Sequence, residues 1–163
     1  MEEDVLRIGT PEQFKALSHP LRQRLLFALG HEPATISGLA VSLAVHKGSV
    51  AHHLKVLREA GMVHVVETRQ VRGGTEQYYQ RTARKLEVRD APAEHNAAVF
   101  TAVAHELSRA PEEPTVVLRH LRLTPAAAER LSAELLRLVE SQEDAGDAVH
   151  GVLVALYKRS DQA

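Results

Sequence analysis

The first half of the chain has apolar residues at helical spacing, interrupted by residues that begin and end helices. A capping box from Thr10, with proline in the first turn, predicts that one helix starts there. Pro20 predicts the start of a second helix, because proline has no N–H to donate and fits best in a first turn. A third helix is predicted over residues 35–44 and a fourth over residues 47–60, with Gly61 ending the fourth.

The fourth predicted helix has two different sides when its residues are placed 100° apart. The side expected to pack against the preceding helices carries Val50, His53, Leu54 and Leu57. The other side, together with the first turn, is mostly small and basic, and carries Lys47, Gly48, Ser49, Ala51, His52, Lys55 and Glu59. A small, basic surface of this kind lets a helix approach a polyanion closely.

A β-hairpin is predicted immediately after this helix. Apolar and polar residues alternate from Val63, and the run Arg72-Gly73-Gly74-Thr75 is typical of a hairpin tip because glycine adopts positive φ. Two helices around a tight turn, followed by a hairpin, are the order of a winged helix-turn-helix. That arrangement places the second helix in a DNA major groove and the hairpin beside it.

The distribution of charge fits this arrangement better than the net charge does. The 163-residue chain has a formal charge of -1, but residues 15–85 carry 11 Lys/Arg against 4 Asp/Glu. A basic segment that coincides with the motif is what a phosphate backbone requires, so double-stranded DNA is the predicted partner. The predicted DNA-binding residues are Lys47, Gly48, Ser49, Ala51, His52, Lys55, Arg69, Arg72, Gly73 and Gly74.

Residues 17–84 resemble the ArsR-like winged-helix regulators of bacteria, including those without cysteine. The sequences that carry the resemblance are LSHPLRQRLL, SVAHHLKVLREAGMV and VRGGTEQYY. The resemblance implies a transcriptional repressor that binds an inverted-repeat operator as a homodimer. At matched positions it implies that Lys47, Ser49, His52 and Lys55 face DNA and that Arg72 is the contact from the wing.

The sensing chemistry of some ArsR-like proteins does not fit this chain. Their paired cysteines align with Thr35 and Ser37, whose hydroxyls are poor ligands for soft metals, and the chain contains no cysteine. The ten histidines keep a His/carboxylate metal-responsive repressor open as an alternative. The pairs at Glu94-His95 and His105-Glu106 lack a familiar ligand spacing, so we predict no metal site.

A second predicted region, residues 91–163, follows the winged helix of residues 10–90. A charged connector over residues 84–92 leads into a helix over residues 93–109 whose apolar residues lie on most of its sides. Such a helix needs wide cover, and a partner subunit is the simplest cover. The predicted dimerisation residues are Val99, Phe100, Val103 and Leu107.

The chain is predicted to end in a small β-α-β extension. The apolar runs TVVLRHLRL, residues 115–123, and VHGVLVALY, residues 149–157, are typical of strands. Between them, Thr124-Pro125 predicts the start of a helix that continues to about residue 140. The overall fold class is therefore α+β. Two roles stay open for the extension: a pocket for an unknown small-molecule effector, or a stabiliser of the dimer.

Other classes of protein find little support in the sequence. The motifs GxSxG, the P-loop, the dinucleotide glycine fingerprint and HExxH are all missing, so we predict neither catalysis nor a cofactor. The beginning of the chain has no signal-peptide pattern and no apolar run is long enough to span a membrane, which predicts a cytoplasmic location without a membrane partner. A winged helix that binds proteins instead of DNA remains the alternative function.

Overall fold

The architecture is that of a computed structural model, which describes residues 5–143 and 145–160. The elements, in chain order, are β1 (Val5–Ile8), α1 (Pro11–Leu17), α2 (Pro20–Ala28), β2 (Ala34–Thr35), α3 (Ile36–Leu43), α4 (Lys47–Glu59), β3 (Val63–Val71), β4 (Gly74–Arg81), β5 (Lys85–Val88), α5 (Ala93–Leu107) and α6 (Pro125–Glu140). None of the helices in these residues is long and apolar enough to cross a membrane.

Local sequence signals set the helix boundaries. The Thr10 hydroxyl accepts from the Gln13 N–H at 3.2 Å while the Gln13 side chain accepts from the Thr10 N–H at 3.1 Å, which is the predicted capping box. His19 caps α2 through Nδ1, which accepts from the Leu21 N–H at 3.1 Å. Gly61 follows α4 with φ +74°, so it provides the left-handed residue that ends the helix.

The winged helix has one core, formed where α1 to α4 meet the hairpin. β3 and β4 pair antiparallel, and the short β2 adds to the other edge of β4. The largest fully buried side chains are Leu17, Leu25, Leu26, Leu29, Leu39, Val50, Leu54, Leu57, Met62 and Val63. The arrangement confirms the α+β winged helix-turn-helix fold that the sequence predicts.

One strand pair was not predicted. β1 pairs in parallel with β5, with Val5 opposite Lys85 and Ile8 opposite Val88. The sequence predicts a charged connector in the segment that includes β5. Charged and apolar residues do alternate there, but the alternation lasts only four residues and is too short to predict a strand. Ile8 is buried, and Leu6, Leu86 and Val88 pack against the same core, so this pair extends it.

Helix α5 packs against α1 and α2 and lies in the first of two compact units, residues 1–114. The sequence pattern instead predicts that this helix belongs with the C-terminal extension. Its inward side is small: Ala98 and Ala102 are buried, together with His95, which is 7% exposed. Small residues allow α5 to approach the winged helix closely.

The second unit, residues 115–163, contains α6 at the predicted position. The Thr124 hydroxyl caps the helix by accepting from the Ala127 N–H at 3.2 Å. The two flanking strands of the predicted β-α-β extension are not formed in this chain, because residues 115–124, 145–146 and 149–160 are assigned neither helix nor strand. A strand exists only when its backbone pairs with a neighbour, and an apolar run does not supply that neighbour.

Candidate DNA-binding surface

Helix α4 presents the two sides that its sequence predicts. Val50, Leu54 and Leu57 are buried against the rest of the domain. Lys47, Gly48, Ala51, His52 and Lys55 are exposed, while Ser49 is half-buried. Lys55 lies near Glu59, with its Nζ 3.8 Å from a carboxylate oxygen, but both side chains are well exposed and the pair is weak. The side of α4 with small and basic residues is therefore open.

The turn between α3 and α4 fixes the direction in which α4 leaves the core. Ala44 has φ +53° and ψ +49°, a left-handed conformation that glycine adopts at lower cost. The Val45 N–H donates to the Ala40 carbonyl at 3.0 Å, which closes the end of α3. His46 is the N-cap of α4, yet its side chain makes no capping hydrogen bond. The N–H groups in the first turn of α4 therefore receive no hydrogen bond acceptor from the N-cap side chain. Such N–H groups at the start of a helix favour the binding of a phosphate.

A cluster of histidines and one arginine holds α4 against α2. The ring centroids of His19 and His53 are 4.4 Å apart, and those of His52 and His53 are 5.1 Å apart. Arg22 Nη1 lies 3.2 Å from His53 Nδ1. Because a guanidinium has only donors, Nδ1 of His53 must accept, and the ring is neutral in this arrangement.

Burial, together with the charges around this cluster, lowers the pKa of His53 and of His19. Burial, then His19, Arg22 and His52, lowers the pKa of His53 to about 4. Burial, followed by Arg22 and His52, also lowers the pKa of His19. Arg22 itself is fixed to the C-terminal end of α1, since it donates to the carbonyls of Ala16 and Lys15, the latter at 2.8 Å. The sequence predicts that His53 packs against the preceding helices, but it indicates no role for Arg22, a residue of α2 that contacts α1 and α4.

The wing is the hairpin of β3 and β4. Val71 pairs with Gly74, so the turn consists of Arg72 and Gly73. The predicted tip also included Gly74 and Thr75, which instead belong to β4. Gly73 has φ +102° and Gly74 has φ +155°, which explains why glycine occupies both positions. The pairing places the exposed Arg72 at the outermost point of the hairpin.

Arg69 lies on the same hairpin but is already engaged. Its Nε and Nη2 atoms donate to the two Glu67 carboxylate oxygens at 2.5 and 2.8 Å. Its guanidinium also lies 4.5 Å from the centroid of the Tyr78 ring, a cation–π contact. The hydrogen bond from Arg69 lowers the pKa of the Glu67 carboxyl, so Glu67 stays ionised and offsets the charge of Arg69. Arg72 is therefore the better placed of these two cations to reach a phosphate.

Two further residues of the hairpin, Tyr79 and Arg81, point away from the open surface and are buried or half-buried. Tyr79 is buried, whereas its neighbour Tyr78 is half-buried beneath Arg69, as alternation along a strand requires. Arg81 is a further cation of the hairpin. It is half-buried at the end of β4, its Nη2 donates to the Arg84 carbonyl at 2.8 Å, and burial lowers its pKa. We therefore exclude Arg81 from the candidate surface.

The outward side of α5 is apolar. Phe100 is 52% exposed and Leu107 is 42% exposed, while Val99 and Val103 are half-buried. Residues at positions 100, 103 and 107 follow one another at helical spacing, so they form a stripe along the helix. This stripe differs from the small inward side formed by Ala98 and Ala102.

The histidine and carboxylate pairs of α5 do not gather into a metal site within the described residues. There, no three His, Cys, Asp or Glu side chains lie in an arrangement that could hold an ion. His95 faces the core, where burial lowers its pKa, while its neighbour Glu94 is exposed. The two residues of that pair therefore lie on different sides of the helix.

Comparison with known proteins agrees with this geometry. Residues 17–66 match the family described as "Helix-turn-helix domain", which confirms the helix-turn-helix prediction. A search of curated proteins finds no significant match.

Three solved structures with similarity to the chain are the following. HlyU from Vibrio cholerae N16961 is 21% identical, over 61% of this chain and 90% of HlyU. Rv0081 from M. tuberculosis is 28% identical, over 59% of this chain and 86% of Rv0081. An ArsR-like transcriptional regulator from Rhodococcus sp. RHA1 is 25% identical, over 81% of this chain and 91% of that one. All three superpose with a TM-score of 0.35, and we base no functional conclusion on them.

Proposed function

We propose that the chain, which has a winged helix-turn-helix fold and resembles the ArsR-like regulators, is a sequence-specific DNA-binding transcriptional regulator. It acts as a cytoplasmic homodimer on an inverted-repeat operator and represses transcription. Helix α4 lies in the major groove and the wing lies along the adjacent backbone. Regulation by a small-molecule effector at the C-terminal region stays a prediction from the sequence.

The exposed side of α4 is the observation that carries this proposal. Gly48 and Ala51 are small and exposed, so the helix backbone can approach base edges without a steric barrier. Lys47 and Lys55 flank them, and Arg72 extends from the wing. Cations on both elements supply the phosphate contacts from which most affinity for DNA arises. His52, in the middle of the exposed side, is the candidate for reading a base edge.

The open apolar stripe of α5 supports the homodimer. An exposed Phe100 and Leu107 on a helix at the surface of a compact domain are favoured positions for a subunit contact. In a two-fold dimer the two α4 helices enter successive major grooves about 34 Å apart. The two-fold symmetry of such a dimer is why we propose an inverted repeat as the operator.

Salt dependence of binding tests the DNA-binding surface. We expect the wild-type affinity for duplex DNA to fall steeply with added salt, because each neutralised phosphate releases counterions. Arg72→Ala should flatten the slope of log K against log[salt] by about 0.9 for each phosphate that the variant no longer neutralises. Arg7→Ala is the matched control, since Arg7 is an exposed cation on β1 that pairs with Glu87 outside this surface.

The outcomes separate the proposal from its alternative. If the purified protein binds no duplex at low ionic strength, or if Arg72→Ala and Arg7→Ala have the same slope, the assigned surface is wrong. A winged helix that binds proteins would give the first result. Selection of bound sequences from a random duplex library should return a symmetric site, and an asymmetric site would contradict the homodimer on an inverted repeat. Repression requires that added protein lowers transcription from a promoter containing the selected site.

A further inference from the structure

The second unit has no core of its own among the residues that the structure describes. None of residues 115–143 and 145–160 is buried. Fourteen of the large apolar side chains in these ranges are between 38% and 77% exposed, including Val117, Leu118 and Val152. They expose on the order of 1,000 Å² of apolar surface, more than the few hundred Å² of the largest patch on an ordinary monomer. A surface of this size and composition requires cover.

The form of the exposed surface indicates how it is covered. Residues 115–123 and 149–157 are two apolar segments of equal length, outside any helix, and no strand pairing is assigned to them within the described residues. Valine and leucine lie at both odd and even positions of each segment, so both faces of a strand built from them would be apolar. Such segments are stable when their backbone pairs in a sheet and both faces are buried.

Helix α6 supplies a suitable face for such a sheet. Leu131 and Leu135 are half-buried, and Leu136, Leu138 and Val139 continue the apolar side while remaining exposed. No residue of the helix is buried. Because its apolar side is not fully covered, α6 can pack against a further apolar surface on that side.

The charges of the unit are balanced between its parts. The two apolar segments and the residue after the second one carry Arg119, Arg122 and Lys158. The helix and the loop after it are acidic on balance, with Glu129, Glu134, Glu140, Glu143 and Asp147 alongside Arg130 and Arg137. Residues 115–160 together carry six Lys/Arg against six Asp/Glu, so two copies of the unit meet without a net repulsion.

We propose that residues 115–157 form an interface with the same residues of a second copy of this chain, in which the two apolar segments of each copy pair into one intermolecular sheet covered by both α6 helices. A second copy has the same unpaired segments and the same exposed helix face, so one contact satisfies both molecules. The apolar area is of the order that a stable interface needs, about 800 Å² per partner. This contact is additional to the stripe on α5 and does not depend on DNA binding.

Hydrogen exchange of the full-length chain tests the pairing directly. At micromolar concentration, backbone amides in residues 116–123 and 149–157 should exchange at least about 100-fold more slowly than an unstructured chain, because a ladder protects them. The protection should disappear on dilution to the concentration at which mass photometry shows the monomer. Segments that exchange as an unstructured chain at every concentration, or that stay protected in the monomer, would overturn the proposal.

Proline variants make the same test by a second route. Val117→Pro removes a ladder donor from the first segment, whereas Glu143→Pro places the same residue in the loop outside both segments. We expect Val117→Pro to abolish protection in residues 149–157 and to raise the dimer dissociation constant at least about tenfold, with Glu143→Pro close to wild type. To remove the contribution of α5, both variants are also made in a Phe100→Glu background. Equal behaviour of the two proline variants in that background would overturn the proposal.

Discussion

The histidine cluster between α2 and α4 predicts that the winged helix loses stability in mild acid. His53 is neutral in the fold, where its pKa is about 4, but in the unfolded chain it titrates at its ordinary value of 6.5. Between these values the unfolded state binds more protons than the folded state, so the free energy of unfolding falls as the pH falls. The contribution of His53 is complete above about pH 6.5 and is lost through the range down to pH 4.

The two pKa values set the size of the effect. Linkage gives a loss of about 2 kcal/mol between pH 7.5 and pH 5.0 for a shift of this size. His53 is only half-buried, and solvent screens part of the interaction, so we expect about 1 kcal/mol from His53 itself. His19, whose pKa is also lowered, adds a loss of the same sign.

Urea unfolding followed by circular dichroism at pH 7.5, 6.5, 5.5 and 5.0 measures this loss at fixed protein concentration. His53→Asn keeps a side-chain acceptor for Arg22 but does not titrate, so its stability should fall less with pH than that of the wild type. His46→Asn is the control, because His46 is exposed and its side chain does not cap α4. Identical pH profiles for wild type and His53→Asn would refute the reasoning.

Three other substitutions give independent tests. Ala44→Gly should raise the free energy of unfolding by about 0.5–1 kcal/mol, since glycine adopts the φ of +53° more cheaply; a lower free energy in urea unfolding contradicts this. Phe100→Glu should weaken the proposed α5 contact and raise the dimer dissociation constant in sedimentation, whereas Thr101→Glu should not, because Thr101 is exposed about 100° around α5 from Phe100. His52→Ala should cost about 1–3 kcal/mol at a single base position, while Arg69→Ala should lower affinity less than Arg72→Ala does. A uniform decrease across operator variants would show that His52 contacts the backbone.

Much of the winged helix was predictable because its signals are local. The capping box at Thr10, the proline at Pro20 and the glycine at Gly61 each act within one helical turn, and each is found where predicted. The two sides of α4 follow from helical periodicity in the same way. Each of these signals depends only on a few residues that are neighbours in the chain, so the sequence alone is enough to predict the local structure.

The features that were missed depend on residues far apart in the chain. β1 and β5 are four-residue strands separated by the whole winged helix, and neither has a pattern that identifies its partner. Arg22 occupies its position because α1, α2 and α4 meet there. The prediction of strands on both sides of α6 was wrong for a related reason. Their residues are of types that favour strands, but within the described residues they have no neighbouring strand with which to pair.

Helix α2 connects the two surfaces that the proposed function requires. It packs against α5 on one side and against α4 on another. The contacts of Arg22 and His19 with His53 hold α2 against α4. Because the Arg22 contact is directional, it allows less relative movement of the two helices than apolar packing alone. In a dimer formed through α5, the separation of the two α4 helices is therefore set by the way α5 lies on α2. A ligand or a protonation event that changes either contact alters that separation, and affinity for an operator of fixed spacing changes with it.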